Sequence, residues 1–205
     1  MANARQTYLA NTTSMVIKVG SRVLSDEDGR LDHAQVSNIS DQVARLVANG
    51  RRVVLVSSGA VAAGMGKLGL QRRPTDVAHL QAVAAVGQAH LIQAYERCFA
   101  RNGLHAAQVL LTADDLDDRS RYLNVRNTLL ALLEMGVVPV INENDTVAVD
   151  ELIATFGDND RLAAMVAGLF ARPLLVILSD VAGLYDRDPS DPHARIIQAV
   201  DQIDA

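Results

Sequence analysis

The sequence is poor in aromatic residues and has no excess of basic charge. Aromatic residues make up 3% of the 205 residues, whereas hydrophobic residues make up 49%. The core must therefore be built from Ala, Val, Leu and Ile, as in tightly layered packing of helices on a sheet. Lys and Arg number 19 against 24 Asp and Glu, which gives a formal net charge of -5. A nucleic-acid-binding face usually needs a net basic surface, so we expect no nucleic-acid partner.

Cysteine and long apolar runs are also scarce. Cys98 is the single cysteine, which excludes an internal disulfide and a cysteine-built metal site and fits a reducing compartment. No segment approaches the roughly 20 apolar residues that span a bilayer, and residues 1–14 lack the apolar stretch of a signal peptide. We therefore expect a cytoplasmic protein without a membrane partner, with residues 1–14 as a flexible tail. The five histidines lack the spacing of metal ligands, so no metal-binding residues are predicted.

Short apolar segments alternate with longer segments of helical periodicity. The predicted strands are Met15–Val19, Arg52–Ser57, Ala106–Leu111, Val137–Ile141 and Leu174–Leu178. Each is nearly continuous in apolar residues, as expected for strands covered on both faces. The predicted helices lie near Ala34–Asn49, Asp76–Arg101, Asn124–Glu134 and Asn159–Leu169. Strands alternating with helices predict an α/β fold, a three-layer sandwich with a mostly parallel central sheet and helices on both faces.

The second predicted helix is rich in alanine and contains Gly87. A glycine there predicts that another element packs closely against the helix. The sequence leaves open whether that element belongs to the sheet or to a second subunit.

Polar segments follow four of the predicted strands. They read "KVGS" at the end of the first strand, "SSGAVAAG" after the second, "NENDT" after the fourth and "SDVAGLY" after the fifth. Ligands of open parallel sheets bind outside the carboxyl ends of the strands. We therefore expect these segments to form one site at one edge of the sheet.

Lys18 lies inside an apolar strand, where burying a charged side chain costs free energy unless an anion lies nearby to pair with it. Gly20 and Ser21 follow it and offer backbone amides that could approach an anion closely. The alternative is that Lys18 lies on an edge strand and extends its ammonium into water. The turn is not a Walker A loop, because G-x-x-x-x-G-K-[ST] does not occur in the chain.

Ser58 and Gly59 connect the second strand to a helix of small residues. The amides at such a helix N-terminus suit a carboxylate or a phosphate, and Ser58 could donate a hydrogen bond there. A plain strand-to-helix connection is the alternative. The G-x-S-x-G motif of serine hydrolases is absent from the chain.

Two clusters of acids and amides bracket a segment that reads as a small hairpin. They are residues 142–145, "NEND", and residues 157–160, "GDND". Helix capping and turn formation explain some of these residues but not all of them. A cluster this acidic would repel a substrate carboxylate unless an ammonium group balanced the negative charge. This indicates a substrate that carries both a positive and a negative charge, such as an amino acid. Asp145 would pair with the ammonium, with Asn159 beside it.

These motifs resemble the glutamate 5-kinases of the amino acid kinase family. The segments that carry the resemblance are "VIKVGSRVL", "VVLVSSGAVAAG", "AVAAVGQ", "LNVRNTL", "VPVINENDTVA", "GDNDRLAA" and "SDVAGLYDRDP". Their order covers nearly the whole chain after residue 15. The resemblance implies ATP-dependent phosphorylation of the γ-carboxylate of L-glutamate, the first step of proline synthesis.

The resemblance also implies a role for individual residues. Lys18 would contact the transferring phosphoryl group and Asp160 would orient that lysine, so both are candidate catalytic residues. Ser58, Asp145 and Asn159 would bind glutamate.

The nucleotide site implied by the resemblance combines Lys18, Gly20, Ser21, Ser179 and Asp180, with Mg²⁺ on the phosphates of ATP. It further implies a homo-oligomer and feedback inhibition by proline.

The chain departs from the family pattern in three places. Ser179 replaces the usual threonine but keeps the hydroxyl, and Arg22 stands where a small residue is common. The third departure is that residues 15–205 would form an amino acid kinase domain that is C-terminally incomplete. A Gly-rich segment with a second phosphate-binding lysine and an accessory RNA-binding-like domain would be missing, so we expect these 205 residues to be inactive alone.

Two alternatives remain at this point. The chain could be a non-catalytic amino-acid-binding or regulatory module on the same fold, or a related kinase that acts on a different acid.

Overall fold

A computed structural model describes residues 8–148 and 158–200. Its centre is a five-stranded sheet in the order β3-β4-β2-β1-β5. The strands are β1 Ser14–Val19, β2 Arg52–Ser57, β3 His105–Leu111, β4 Val137–Glu143 and β5 Leu174–Leu178. Every neighbouring pair is parallel. The α/β prediction with a parallel sheet is therefore confirmed, and each predicted strand is found within two residues of its expected ends.

Helices follow the strands as connections. They are α1 His33–Ala48, α2 Ala60–Leu68, α3 Val77–Ala100, α4 Ala113–Asp117, α5 Arg119–Glu134 and α6 Asp158–Ala167, with a short 3-10 turn at Ser21–Val23. Predicted helix α5 begins five residues earlier than expected. The reason is Asp118, whose carboxylate accepts hydrogen bonds from the backbone N–H groups of Ser120 and Arg121 and so caps the helix at that point.

Strand β4 is two residues longer than predicted. Asn142 and Glu143 were expected in a turn after the strand, but Leu110 pairs with Asn142 and Leu111 with Glu143 in the ladder between β3 and β4. Continued pairing with a neighbouring strand satisfies the backbone groups of both residues. Asn142 therefore has the fixed backbone of a strand.

Both faces of the sheet are covered. On one face, alternate residues of β1 and β2 pack against α1 and α3, and the cluster includes Tyr95 and Phe99, both fully buried. On the other face, Val16, Val54 and Ile141 pack against α5 and α6. Because each face of a strand buries alternate residues, the strands read as continuous apolar runs. The structure is a three-layer sandwich, as expected.

Helices α2 and α3 touch through glycines. A Cβ on Gly87 would lie 1.8 Å from the carbonyl oxygen of Ala60, and one on Gly64 would lie 2.0 Å from the carbonyl oxygen of Val83. No side chain fits in either space. The close neighbour that Gly87 indicates is therefore helix α2 of the same chain, and this contact fixes α3 beside the beginning of α2.

Replacing Gly87 with alanine is expected to destabilise the fold by about 1–3 kcal/mol or more, because the new methyl group must push two helices apart. Gly66 is the matched control, since it also lies within α2 but its added Cβ would meet nothing closer than 3.6 Å. Gly66→Ala should be neutral or stabilising by up to about 1 kcal/mol. Denaturant unfolding of both variants measures the difference. Equal free energies of unfolding would contradict the close packing.

Within residues 8–148 and 158–200, no helix combines the length and the hydropathy that crossing a bilayer requires.

Candidate active site

The polar segments predicted from the sequence lie along one edge of the sheet. They follow β1, β2, β4 and β5, which are consecutive in the order β4-β2-β1-β5. Backbone hydrogen bonds hold their first residues: Gly20 N–H donates to Leu178 O at 3.1 Å, and Ser58 N–H donates to Val19 O at 3.0 Å. The carboxyl ends of these strands therefore present their polar residues side by side.

Lys18 forms an ion pair with Asp160. Lys18 Nζ lies 2.6 Å from Asp160 Oδ1, and the lysine side chain is only 12% exposed. Strand β1 is paired with β2 on one side and β5 on the other, so the edge-strand alternative for Lys18 is wrong. An ammonium held in the centre of a sheet needs an anion nearby, and Asp160, in the first turn of α6, supplies it.

The turn after β1 passes beside this ammonium. A Cβ on Gly20 would lie 3.5 Å from Lys18 Nζ, so the backbone at Gly20 comes close to the charge. The turn continues into the 3-10 segment Ser21–Val23. Gly20 thus lies beside the ammonium, and Ser21 is the next residue of the turn.

A chain of buried side-chain hydrogen bonds begins at Asn159, the residue before Asp160. Asn159 Nδ2 donates to Ser58 Oγ at 2.7 Å and to Asn142 Oδ1 at 3.4 Å. Asn142 Nδ2 in turn donates to Gln88 Oε1 at 2.8 Å. All four residues are buried. Since Asn159 and Asp160 are neighbours at the beginning of α6, this chain and the Lys18 ion pair meet at one helix turn.

Asp145 is a buried carboxylate with an unusual electrostatic environment. It is 7% exposed, and burial raises the pKa of its carboxyl to about 6, although the positive charge of Arg73 acts in the opposite direction. Among the ion pairs of residues 8–148 and 158–200, none includes Asp145. A buried carboxylate of this kind gains most from a cationic ligand.

A hollow of about 250 Å³ opens beside Asp145. Its lining comes from α3, from β3 and from the end of β4: Ala84, Ala85, Gln88, Ala89, Gln108, Leu110, Glu143, Asn144, Asp145 and Thr146. The lining combines small side chains with amides and carboxylates. Small apolar side chains with a few polar groups among them are the kind of lining found in small-molecule sites.

Ser179 and Asp180 lie at the end of β5. Arg22 Nη1 donates to Asp180 Oδ2 at 2.6 Å, and this hydrogen bond lowers the pKa of the Asp180 carboxyl. Ser179 Oγ donates to Asp180 Oδ1 at 3.3 Å. Arg22, one of the two residues that depart from the family pattern, thus connects the turn after β1 with the end of β5.

The structure therefore brings the candidate residues into neighbouring groups. Lys18 and Asp160 are in contact, Ser58 and Asn159 are in contact, and these two contacts share the first turn of α6. Asp145 lies two residues beyond β4, which also carries Asn142. Residues 149–157, which include most of the predicted hairpin and Gly157 of the second cluster, lie outside the described residues.

Gln88 was missed by the sequence reasoning. The motif "AVAAVGQ" was recognised, but its glutamine had no assigned role. The available signal was a polar residue directly after Gly87, the glycine at a close helix contact. Arg73, which influences Asp145 through its charge, has no comparable signal, because it lies in the irregular segment before α3.

In residues 8–148 and 158–200, no three His, Cys, Asp or Glu side chains are grouped so that they could hold a metal ion.

Comparison with known proteins assigns the family. The model of the amino acid kinase family matches residues 13–205. The chain is 52% identical over 200 residues to a glutamate 5-kinase of Rhodopirellula baltica, covering 98% of this chain and 51% of that protein. It is 57% identical over 189 residues to a glutamate 5-kinase of Thioalkalivibrio sulfidiphilus, covering 92% and 50%. The chain thus spans about half the length of these relatives, and it belongs to the amino acid kinase family.

Proposed function

We propose that this chain provides the amino acid site and the phosphoryl-transfer lysine of a glutamate 5-kinase, which transfers the γ-phosphoryl group of ATP to the γ-carboxylate of L-glutamate. The observation that carries the proposal is the meeting of two contacts at the beginning of α6. Asn159 bonds Ser58, and its neighbour Asp160 pairs with Lys18. Because Asn159 and Asp160 are adjacent, they hold the glutamate-binding Ser58 and the phosphoryl-binding Lys18 side by side. The acceptor carboxylate and the phosphoryl donor are thereby brought together.

Asp145 binds the ammonium group of glutamate in this proposal. Its carboxylate is buried, and burial disfavours its charge, as the pKa of about 6 shows. The ammonium group of the substrate supplies the positive charge that stabilises the ionised Asp145 carboxylate. A carboxylic acid without an amine gains nothing from this residue, so Asp145 selects for an amino acid.

Ser58 binds a carboxylate of the substrate. Its Oγ already accepts a hydrogen bond from Asn159, so the hydroxyl proton is available for a bond in another direction. Gly59 is the N-cap of α2, with φ of +104°, and has no side chain that could accept a hydrogen bond from the first N–H groups of the helix. A hydroxyl proton and helix N-terminal amides together favour a carboxylate.

Lys18 stabilises the phosphoryl group during its transfer. An oxygen of the γ-carboxylate forms a bond to the γ-phosphorus, the bond from that phosphorus to the bridging oxygen breaks, and the electron pair leaves with ADP. No proton is exchanged in this step. Phosphoryl transfer depends mainly on positioning and on neutralising charge. Lys18 Nζ, held by Asp160 and lying beside the Gly20–Ser21 turn, performs both tasks.

The nucleotide is placed at the ends of β1 and β5, against Gly20, Ser21, Ser179 and Asp180, and ATP enters as its Mg²⁺ complex. The proposal also includes a cytoplasmic homo-oligomer that proline inhibits. These last points follow the family resemblance.

The test is an assay of the full-length gene product with ATP and a panel of acids, in which hydroxylamine traps the acyl phosphate. L-Glutamate should give ATP-dependent hydroxamate. N-Acetylglutamate should give none, because its nitrogen carries no charge for Asp145 to bind. Turnover of another acid in preference to glutamate would overturn the proposal. Binding of glutamate without any turnover would identify a non-catalytic amino-acid-binding module instead.

A further inference from the structure

We propose that Gln88 is a positioning residue of the amino acid site, which fixes the side-chain amide of Asn142 and, through it, those of Asn159 and Ser58. This inference rests on the proposed function, because it concerns the binding of glutamate at the same site. Gln88 lies on α3, whereas the proposed ligands of glutamate follow β2 and β4 or begin α6.

The contacts form a single buried path. Gln88 Oε1 accepts a hydrogen bond from Asn142 Nδ2 at 2.8 Å, and Asn142 Oδ1 accepts one from Asn159 Nδ2 at 3.4 Å. The same Asn159 nitrogen donates to Ser58 Oγ at 2.7 Å. The path therefore joins α3 to β4, α6 and the residue that follows β2.

The acceptor oxygen of Gln88 is matched to one orientation of the Asn142 amide. A side-chain amide has a donor end and an acceptor end, and Asn142 would fit the same space with the two exchanged. In the exchanged orientation, its oxygen would face Gln88 Oε1 and its NH₂ group would face that of Asn159. Both contacts would be repulsive. The acceptor at Gln88 thus turns the Asn142 oxygen toward Asn159 and leaves the hydroxyl proton of Ser58 directed away from Asn159.

The backbone places Gln88 at this point. Gly87 approaches Ala60 so closely that no Cβ fits between them, and this contact holds the neighbouring Gln88 beneath the polar edge of the sheet. Gln88 also lines the hollow that contains Asp145. In the "VGQ" segment, Gly87 therefore permits the close approach of the two helices, and this approach positions the acceptor oxygen of Gln88.

The expected result of removing the acceptor is a selective loss of glutamate affinity. Gln88→Met has a similar shape but cannot accept the hydrogen bond from Asn142. A buried donor without its partner costs enough to change an equilibrium by roughly tenfold, so the KM for glutamate in the full-length gene product should rise about tenfold. The KM for ATP should not change, because ATP binds at the ends of β1 and β5.

Gln93→Met is the matched control, since Gln93 lies on the same helix but is exposed. It should leave both KM values unchanged. Gln88→Leu is a second apolar variant that lacks the acceptor and should raise the KM for glutamate to the same extent, which gives a readout if the methionine variant fails to fold. In the double variant Gln88→Met with Asn142→Ala, the KM for glutamate should equal that of Asn142→Ala alone, because Gln88 acts through Asn142.

An unchanged glutamate KM in Gln88→Met, or equal increases in the KM values for glutamate and ATP, would overturn the inference. Additive effects in the double variant would also overturn it. The proposed function fails separately, since in that case the wild-type protein would not phosphorylate glutamate at all.

Discussion

Replacing Lys18 with alanine is expected to lower kcat for glutamate phosphorylation by at least a hundredfold in the full-length gene product. Removing one group that stabilises charge in a transition state typically costs a factor of about 10² to 10³. Lys18 also neutralises Asp160 at 2.6 Å. Without the lysine, that carboxylate would face the phosphates of ATP, so we expect the KM for ATP to increase as well.

Two variants separate the charge of Lys18 from its packing. The side chain is largely buried in β1, so Lys18→Met retains the apolar stem and removes only the ammonium. It should fold normally and lose as much activity as Lys18→Ala. Lys67 is the other lysine of the chain and is exposed on α2, so Lys67→Ala should keep full activity. A Lys18→Met protein with normal kcat would make Lys18 a structural residue.

The strands were predictable from the sequence because both faces of the sheet are covered. Leu174–Leu178 and Arg52–Ser57 match their predicted bounds, since continuous apolar runs are required of buried parallel strands. Strand order was not predictable from these runs. The alternative for Lys18 therefore stayed open until the pairing of β1 with both β2 and β5 was known.

The contacts of the site depended on that same order. Arg22 and Asp180 are 158 positions apart in the chain, and they meet only because β5 lies next to β1. The sequence identified each residue as unusual or familiar but could not pair them. Gln88 illustrates the same limit, because its hydrogen bond to Asn142 requires α3 to lie beside α2 and β4 to extend past its last apolar residue.

The sheet edge nevertheless followed from general reasoning. Polar segments after parallel strands gather at one edge whatever the strand order, and this property was sufficient to predict that the segments with Lys18, Ser58 and Asn142 would form one site. What the sequence could not supply was the sharing of one helix turn, in which Asn159 contacts Ser58 and Asp160 contacts Lys18. Both contacts depend on where α6 begins.

Asp145→Asn is expected to weaken glutamate binding and to stabilise the protein at the same time. Truncating one partner of a buried charge pair costs about 2–5 kcal/mol, so the KM for glutamate should rise by at least about thirtyfold. The stability effect follows from the pKa of Asp145, which burial raises from 3.8 to about 6. In the absence of glutamate, the ionised carboxylate is disfavoured in the folded protein.

The sign of the stability effect depends on pH. A carboxyl with a raised pKa in the folded state binds its proton more tightly there, so the protein loses stability as pH rises from about 4 to about 6. A difference of about two pKa units corresponds to about 3 kcal/mol. Asp145→Asn removes this loss, so the variant should be more stable than wild type by up to about 3 kcal/mol at pH 8. At pH 4 the two proteins should be nearly equal.

Thermal unfolding of the full-length gene product at pH 4 and pH 8, without glutamate, measures this difference. Asp28→Asn, in an exposed turn, is the control that should change neither the stability nor the KM for glutamate.

The carboxyl group of Asp145 also controls the pH dependence of activity. Wild-type kcat/KM for glutamate should fall as pH decreases below about 6, because protonation removes the charge that holds the ammonium. An Asp145→Asn protein that is less stable than wild type at pH 8, with an unchanged glutamate KM, would show that Asp145 serves the fold and not the substrate.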